Sequence, residues 1–590
     1  MKKITNIYFD IKNILGKNFA NKLIFLIIIL FFTSLVEMAT LSLFPIYVGL
    51  LLDQEKYQTI MGYELADINQ FMPLGSTIHN FGLLLVCCLF LKIIFILFSY
   101  FYELNSIRKI KVKLSEELYK NYISRPYLFF VNTNSSIIYR SIVQQVQEAM
   151  SYVQSMATLI REFFILLIIS ILLILYNPEI ALSSIITFVV LGSIFYISTT
   201  LILKKNAARR IEASERKISI VSEMFSGIKE IKVFVKENFF IARFLKANIV
   251  FEKSQFIQEL IRRMPKLFFE FLAVSLLVLI TFLFLYQGNT SSEIFPLLGL
   301  LAICVVRLIP VFSSINASFT YLRSHKISYD NIVDEFNNFV SDKLIQSNIE
   351  KNYETNKNSD ILIELKDIHY KFNNNQKPVL KNISLSVQKN EFIGIVGKSG
   401  SGKTTLVNII LGLLKAESGK IYKKKDVIIS YVPQDIFILD NSLKENIAFG
   451  VEKEMIDDSK INECIEKSQL GELVKNKHLG SETITGEKGS KFSGGERQRV
   501  GIARSLYKNA SILIFDEATN ALDTQTENEI IKTLISLKDK LSIIIISHHH
   551  STLKFCDKIY YLDNGNIKDE GKLSDLLNKY PLLQENNEQN

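Results

Sequence analysis

Residues 392–405 read FIGIVGKSGSGKTT, and the rest of the chain can be ordered outward from them. The five apolar residues 392–396 have the length and composition of a buried strand. Glycines at 397, 400 and 402 follow at once and let the backbone curl so that its N–H groups converge. An apolar helical run begins at Lys403. A strand, a glycine-rich loop and a helix N-terminus in this order form a cradle for phosphate, because peptide amides and the helix dipole both favour an anion there. Lys403 supplies charge to the β- and γ-phosphates of a nucleotide, and the Thr404 hydroxyl is placed for Mg²⁺. The nucleotide-binding set predicted from this stretch is Gly397, Lys398, Ser399, Gly400, Ser401, Gly402, Lys403, Thr404 and Thr405.

Upstream the composition changes. The chain has 590 residues, 48% hydrophobic and 22% charged, but long apolar runs crowd the part before about Arg323. About 20 apolar residues suffice for a helix to cross the hydrocarbon core. Six stretches qualify, near 23–51, 79–102, 152–176, 180–203, 266–286 and 294–319. The first is too long for the core of a signal peptide and reads as a retained helix. Asn177-Pro178-Glu179 between the third and fourth is turn chemistry and predicts a tight hairpin.

The net charge of +9 does not point to nucleic acid, because the basic residues flank the apolar runs. Lys2, Lys3, Lys12, Lys17 and Lys22 precede the first span. Arg108, Lys109, Lys111, Lys113, Lys120 and Arg125 follow the second, and Lys204, Lys205, Arg209, Arg210, Arg216 and Lys217 follow the fourth. The positive-inside rule puts both termini and the two long connections in the cytoplasm. Each connection runs about 50–60 residues with hardly any Gly or Pro, so continuous helix is expected rather than loop. Five cysteines, with only Cys87 and Cys88 adjacent, give no disulfide framework and no metal spacing.

Downstream, a polar linker over 324–360 leads to an α/β unit over 361–580 and a polar tail over 581–590. Strand-like runs at 361–365, 383–387, 427–432, 511–515 and 542–547 join 392–396 in a partly parallel sheet. ILIFDE, 512–517, ends a buried strand in two carboxylates. Asp516 is the expected Mg²⁺ partner, and Glu517 is the general base that orients and polarises the attacking water. FSGGERQR, 492–499, opens a helix at Ser493, Gly494 and Gly495, whose amides can receive an anion.

Taken in order, these motifs with Gln434 in SYVPQD, NALD at 520–523 and His548 in IISHHHST resemble the ABC ATPase family over about residues 360–575. The resemblance implies that Gln434 contacts the metal or water, that His548 holds the γ-phosphate and that Asp523 lies at a dimer seam. It also implies an aromatic stacked on adenine, Phe372 or alternatively Tyr370, and an exporter-specific loop at TGEKG, 485–489. Phe492 and Glu496 stand where Leu and Gln are commonest, NALD replaces SALD, and two further histidines follow His548. None of these departures removes a charge the chemistry needs. The three histidines are a poor metal site, since consecutive strand residues face opposite ways.

The fold class expected is multidomain: an all-α, six-helix transmembrane domain (1–323) with long cytoplasmic helical extensions, then an α/β P-loop NTPase domain of ABC type. This resembles a type I ABC exporter half-transporter, whose helical hairpins would end in contact helices near 125–134 and 224–230. Each ATPase motif occurs once and intact, so two copies arranged head to tail would complete two ATP sites; a heterodimer is the alternative. Cofactors implied are ATP and Mg²⁺.

For the cargo, polar residues inside apolar helices are the candidates: Glu37, Arg307 and Glu270. Glu37 in VEMATLSLFP, Pro265 with Glu270, RLIP at 307–310 and the Ser318–Arg323 spacing resemble PglK-type flippases of lipid-linked oligosaccharides, although Pro45 comes one residue early for that pattern. The outer loop after the first span carries an apolar–polar mix over 57–72 that predicts an amphipathic surface helix. The resemblance implies a multi-pass protein of the bacterial inner membrane moving a lipid-linked oligosaccharide; export of lipids, drugs or glycolipids, or of a peptide, are the alternatives.

Overall fold

The computed structural model describes residues 2–52, 59–60, 63–64, 77–176, 178–286, 291–346, 353–355, 360–372, 377–516, 524–547 and 550–580. It divides into two units: Met1–Arg125 with Phe129–Asp342, and Lys343–Asn590 with Pro126–Leu128.

The first unit is helical. A short N-terminal helix α1 (Lys2–Leu15) turns at Gly16 into α2 (Lys17–Leu52), followed by α3 (Thr77–Ile123) and two single-turn pieces, α4 (Tyr127–Asn132) and α5 (Ser135–Arg140). After a π-helical turn at Ser141–Gln145 come α6 (Val146–Tyr176), α7 (Pro178–Ser226), the short α8 (Ile228–Val233), α9 (Glu237–Tyr286) and α10 (Ser291–Gln346). Among the described residues, α2, α3, the run through α6, and α10 each hold a window apolar enough to cross a membrane. At 1.5 Å per residue the 47 residues of α3 extend about 70 Å, far beyond the roughly 30 Å of a hydrocarbon core. The long connections are therefore helix, and α4 and α8 lie at the tips read from the sequence.

Two readings differ. The segment read as a linker starts as helix, because α10 continues to Gln346. Ser328, Tyr329, Ile332 and Phe336 recur at helical spacing and are buried, Tyr329, Ile332 and Phe336 against Ile7, Ile11 and Val153, so a polar composition hides an apolar stripe. In the outer loop, Thr59–Ile60 pairs antiparallel with Tyr63–Glu64 in place of the expected amphipathic helix. Thr, Ile and Tyr favour extended backbone. The remainder of 57–72 lies outside the described residues.

Among the described residues, the second unit is built on two sheets. Its strands are β1 (Ile361–Tyr370), β2 (Leu380–Gln388), β3 (Phe392–Val396), β4 (Ser418–Lys423), β5 (Ile429–Val432), β6 (Ile512–Asp516), β7 (Ser542–Ile546), β8 (Lys558–Asp563) and β9 (Asn566–Gly571). The six-stranded sheet has the order β9-β8-β3-β7-β6-β5, parallel except for the β8–β9 hairpin. β4, β1 and β2 form an antiparallel sheet with Tyr353–Thr355 added at its edge. All five residues of β3 and of β7 are buried, as central parallel strands covered on both faces require. One core joins the two sheets through Leu406, Val407, Ile409 and Ile410 of α11 (Lys403–Ile410). A second lies under α14 (Thr524–Leu537). A third, with Ile438, Ile447, Ile461, Phe492 and Val500, holds a helical lobe that includes α12 (Asp458–Lys467) and α13 (Gly494–Tyr507).

Candidate functional site

The phosphate loop leaves β3 at its C-terminal end and enters α11. Gly402, the N-cap of α11, has φ +106°, a region open to glycine and costly for other residues. At Gly397 a Cβ would come within 2.1 Å of the Leu562 carbonyl oxygen, so only glycine fits between β3 and β8. Lys403 is buried and donates to the carbonyls of Gly397 (2.5 Å) and Lys398 (3.0 Å). Its ammonium is thus folded into the mouth of the loop, beside the amides that would face a phosphate. Lys398, Ser399, Gly400 and Thr404 are exposed around it, while Ser401 and Thr405 face inward.

Asp516 ends β6, two strands across from β3, and its Oδ2 accepts a 2.9 Å hydrogen bond from the Tyr431 hydroxyl on β5. Burial, then the neighbouring carboxylate, pushes the Tyr431 hydroxyl well above the ordinary tyrosine range, so it stays a donor. Gln434 is exposed two residues past the end of β5. Glu517 and His548 follow β6 and β7 in sequence but lie outside the described residues, as does Asp523. The anion-binding loop of an open α/β sheet belongs at the C-terminal ends of its strands, and Asp516, Gln434 and the phosphate loop all follow such ends.

Phe372 is 46% exposed, whereas Tyr370 is 5% exposed within the core and meets Phe372 edge to face at 5.2 Å. Of the two aromatics, only Phe372 offers a face to a base.

Ser493 caps α13. Its Oγ accepts from the Glu496 amide (3.3 Å), while Glu496 accepts from the Ser493 amide (2.7 Å), a complete capping box. Glu496 is therefore a structural fit at N3, and Phe492 fills an apolar slot in the helical lobe. Gly494 and Gly495 begin the helix behind this cap.

Sequence reading missed a hub that ties these loops together. Asn446, fully buried, donates from Nδ2 to Leu439 O, Ser442 O and Thr485 Oγ1. Arg504 of α13 donates to the backbone carbonyls of Asn446 (2.6 Å) and Phe437 (2.7 Å), and burial draws its pKa down to about 10. Thr485, the first residue of TGEKG, donates to Leu439 O at 2.6 Å. The segment after Gln434, the TGEKG loop and α13 thus share one hydrogen-bonded node.

In the helical unit the charged residues converge. Glu37 on α2 is 2% exposed and pairs with Lys92 of α3 at 3.5 Å and with Arg307 of α10. Arg161 of α6 bridges Glu103 of α3 (3.2 Å) and its neighbour Glu162 (3.4 Å). Ser314 of α10 donates to Glu162 at 3.0 Å. Lower on the same two helices Glu148 accepts from Ser328 and pairs with Arg210 of α7 at 3.3 Å. Glu148 and Glu162 are fourteen residues apart on α6, as are Ser314 and Ser328 on α10, so the contacts fall in antiparallel register along one polar seam. Arg307, Ser314 and Ser328 are separated by multiples of seven residues, which keeps them near one face. Glu270, in contrast, is exposed on α9 and is not among the residues brought together. Lys92, Glu103, Arg161 and Glu162 were not singled out beforehand. Charged residues inside FLKIIF and LIREFF carried the signal.

Two family models match the chain: ABC transporter transmembrane region over residues 23–308 and ABC transporter over 380–520. The chain belongs to the ABC transporter family. It has the organisation of a type I half-transporter, a membrane domain fused to an ATPase domain. Among related ABC transporters, the ATP-dependent lipid A-core flippase of Saccharophagus degradans is 26% identical, covering 79% of each chain. That of Pseudoalteromonas translucida is 28% identical over 79% of this chain and 81% of its own. The lacticin-481/lactococcin-DR transport/processing ATP-binding protein of Lactococcus lactis is 28% identical over 77% and 65%. A solved bacterial Atm1-family ABC exporter with ATP bound shares the fold, with TM-score 0.72, 19% identity and coverage of 97% and 98%.

Proposed function

We propose that this ABC transporter is an ATP-driven exporter of an amphipathic substrate, a lipid-linked oligosaccharide, working as a homodimer in the bacterial inner membrane. The observation that carries the cargo reading is the set of charged side chains buried within the apolar helices: Glu37, Lys92 and Arg307, with Glu103, Arg161 and Glu162 beside them. Charge in such helices is costly and persists where a polar group must be met or the helices locked. Arg307 keeps about a third of its side chain exposed while Glu37 is closed off, which leaves the cation as the face offered to a polar head. Relatives named as ATP-dependent lipid A-core flippases support an amphiphilic cargo.

On the ATPase side, Lys403 and the loop amides hold the β- and γ-phosphates, Phe372 stacks on the base, and Thr404, Asp516 and Gln434 would hold Mg²⁺. When bound, the ion supplies neutralisation of phosphate charge. Glu517 takes the role of general base toward water, and His548 that of a γ-phosphate contact. Tyr431 fixes the Asp516 carboxylate. Ser493, Gly494 and Gly495 serve the nucleotide of the second copy, since phosphoryl transfer needs the γ-phosphate enclosed on both sides.

Purified protein in sealed vesicles, offered a lipid-linked oligosaccharide, a phosphorylated glycolipid and a fluorescent dye in competition, tests the cargo. ATP-dependent translocation of the oligosaccharide lipid, reduced at least tenfold in Arg307→Ala, is expected. Transport of the dye or the phosphorylated glycolipid in preference to it would overturn the cargo reading.

A further inference from the structure

A cavity of about 460 Å³ opens in the ATPase unit on the edge of the sheet opposite the phosphate loop. Its rim is formed where the parallel strands begin: Lys389 and Asn390 before β3, Asp426 and Val427 before β5, Ala510 and Ser511 before β6, Lys540 and Leu541 before β7. Parallel register holds these starts level, with Phe392 beside Ile543 and Ile512 beside both Ser542 and Ile429. The phosphate loop follows the far end of β3, about 16 Å away for five residues of strand.

The lining is unusually one-signed. Lys389, Lys424, Lys425, Lys460, Lys467 and Lys540 face the space, against only Asp426 and Glu463. They come from four places in the sequence, so no local charge run explains their meeting. Lys460 and Lys467 share one face of α12 with Glu463 between them, and Glu463 pairs with Lys467. Lys540 and Lys467 line the same opening, and the like charge of Lys467 lowers the hold of Lys540 on its proton. Glu463, surrounded by Lys467, Lys540 and Lys460, is held below the usual carboxylate range. The floor is apolar, from Leu362, Val427, Cys464, Leu506 and Leu541. Bringing six ammonium groups around one space costs free energy that a multivalent anion relieves. The size falls within the range of small-molecule sites.

We infer that this cavity is a second anion site, distinct from the ATP site, that takes a small polyphosphate or organic phosphate ester and adjusts ATPase turnover. β3, β6 and β7 each run from the lysine rim to the catalytic edge, so occupancy braces the strands that carry the phosphate loop and Asp516. The neutralised rim also removes the repulsion that opposes their close approach.

The test uses the full chain in detergent, without Mg²⁺, carrying Lys403→Ala so that the phosphate loop does not compete. Titration calorimetry with inorganic tripolyphosphate and with fructose 1,6-bisphosphate measures saturable binding and tells a bare polyphosphate from a ring-bearing ester. One site per chain is expected, weakened by added salt and at least tenfold by Lys467→Glu with Lys540→Glu. A milder pair, Lys389→Ala with Lys425→Ala, is expected to weaken it several-fold at an unchanged circular dichroism spectrum. With Lys403 intact and fructose 1,6-bisphosphate as the probe, which carries no polyphosphate chain for the phosphate loop, the occupied protein should hydrolyse ATP at a different rate, and the Lys467→Glu/Lys540→Glu form should not respond. Absence of saturable binding by either probe, or equal affinity in both charge variants, overturns the inference.

Discussion

Glu37→Gln changes one atom and removes one buried charge, and its consequences can be worked from the contacts. The Lys92–Glu37 pair at 3.5 Å is worth about 5 kcal/mol of attraction at an effective dielectric of about 20. Arg307 adds a second contact, discounted because a third of its side chain reaches solvent. Much of this attraction offsets the desolvation of a carboxylate that is 2% exposed. The amide cannot neutralise two cations, so Lys92 and Arg307 are left facing each other. Breaking a buried pair from one side costs about 3–5 kcal/mol. For a unit of some 340 residues, unfolding entropy of about 0.7 kcal/mol per degree converts that to a fall of roughly 4–7 °C in melting midpoint.

A double-mutant cycle gives a sharper sign. Arg307→Gln alone should cost less, because Lys92 still pairs with Glu37. Combining it with Glu37→Gln removes one of the stranded cations, so the double variant should melt above Glu37→Gln alone, with a coupling of about 1–3 kcal/mol. The assay is thermal loss of helical circular dichroism of purified full-length protein in detergent. The reasoning fails if Glu37→Gln melts within a degree of the parent, or if the two losses simply add.

Further outcomes follow from the ATPase unit. Tyr431→Phe keeps the ring and deletes the donor to Asp516, a charge-assisted bond of about 1.5–3 kcal/mol; the Mg²⁺ concentration for half-maximal ATPase should rise roughly tenfold or more with little change in melting, and an unaltered Mg²⁺ dependence refutes the positioning role. Phe372→Ala should weaken nucleotide binding about five- to tenfold, in line with about 1–1.5 kcal/mol for an aromatic pair beyond its area, while the same change at buried Tyr370 should instead lower stability. Equal effects on binding would reverse that assignment.

The fold was legible where a period or a motif forces it. The apolar runs, the 177–179 hairpin and the sequence 392–405 each permit one local structure, and the long helices with their tips at α4 and α8 followed from the scarcity of Gly and Pro. The segment after 324 misled because polar composition masked a buried stripe that only the packing of Tyr329, Ile332 and Phe336 reveals. Glu37 and Arg307 were visible as charges in apolar helices, but their mutual pairing was not, since contact between α2 and α10 is a tertiary fact. Asn446, Arg504 and Tyr431 escaped for the same reason: an ordinary residue type becomes special through what it is hydrogen-bonded to. Glu270 shows the converse, a charge near an apolar run that ends exposed.

The coupling of hydrolysis to export is tested most directly by Glu517→Gln in sealed vesicles loaded with a lipid-linked oligosaccharide. Removing the carboxylate proposed as the base should leave ATP binding within about twofold, abolish phosphate release and stop translocation together. Hydrolysis at the parental rate, or translocation that persists without it, would contradict the account.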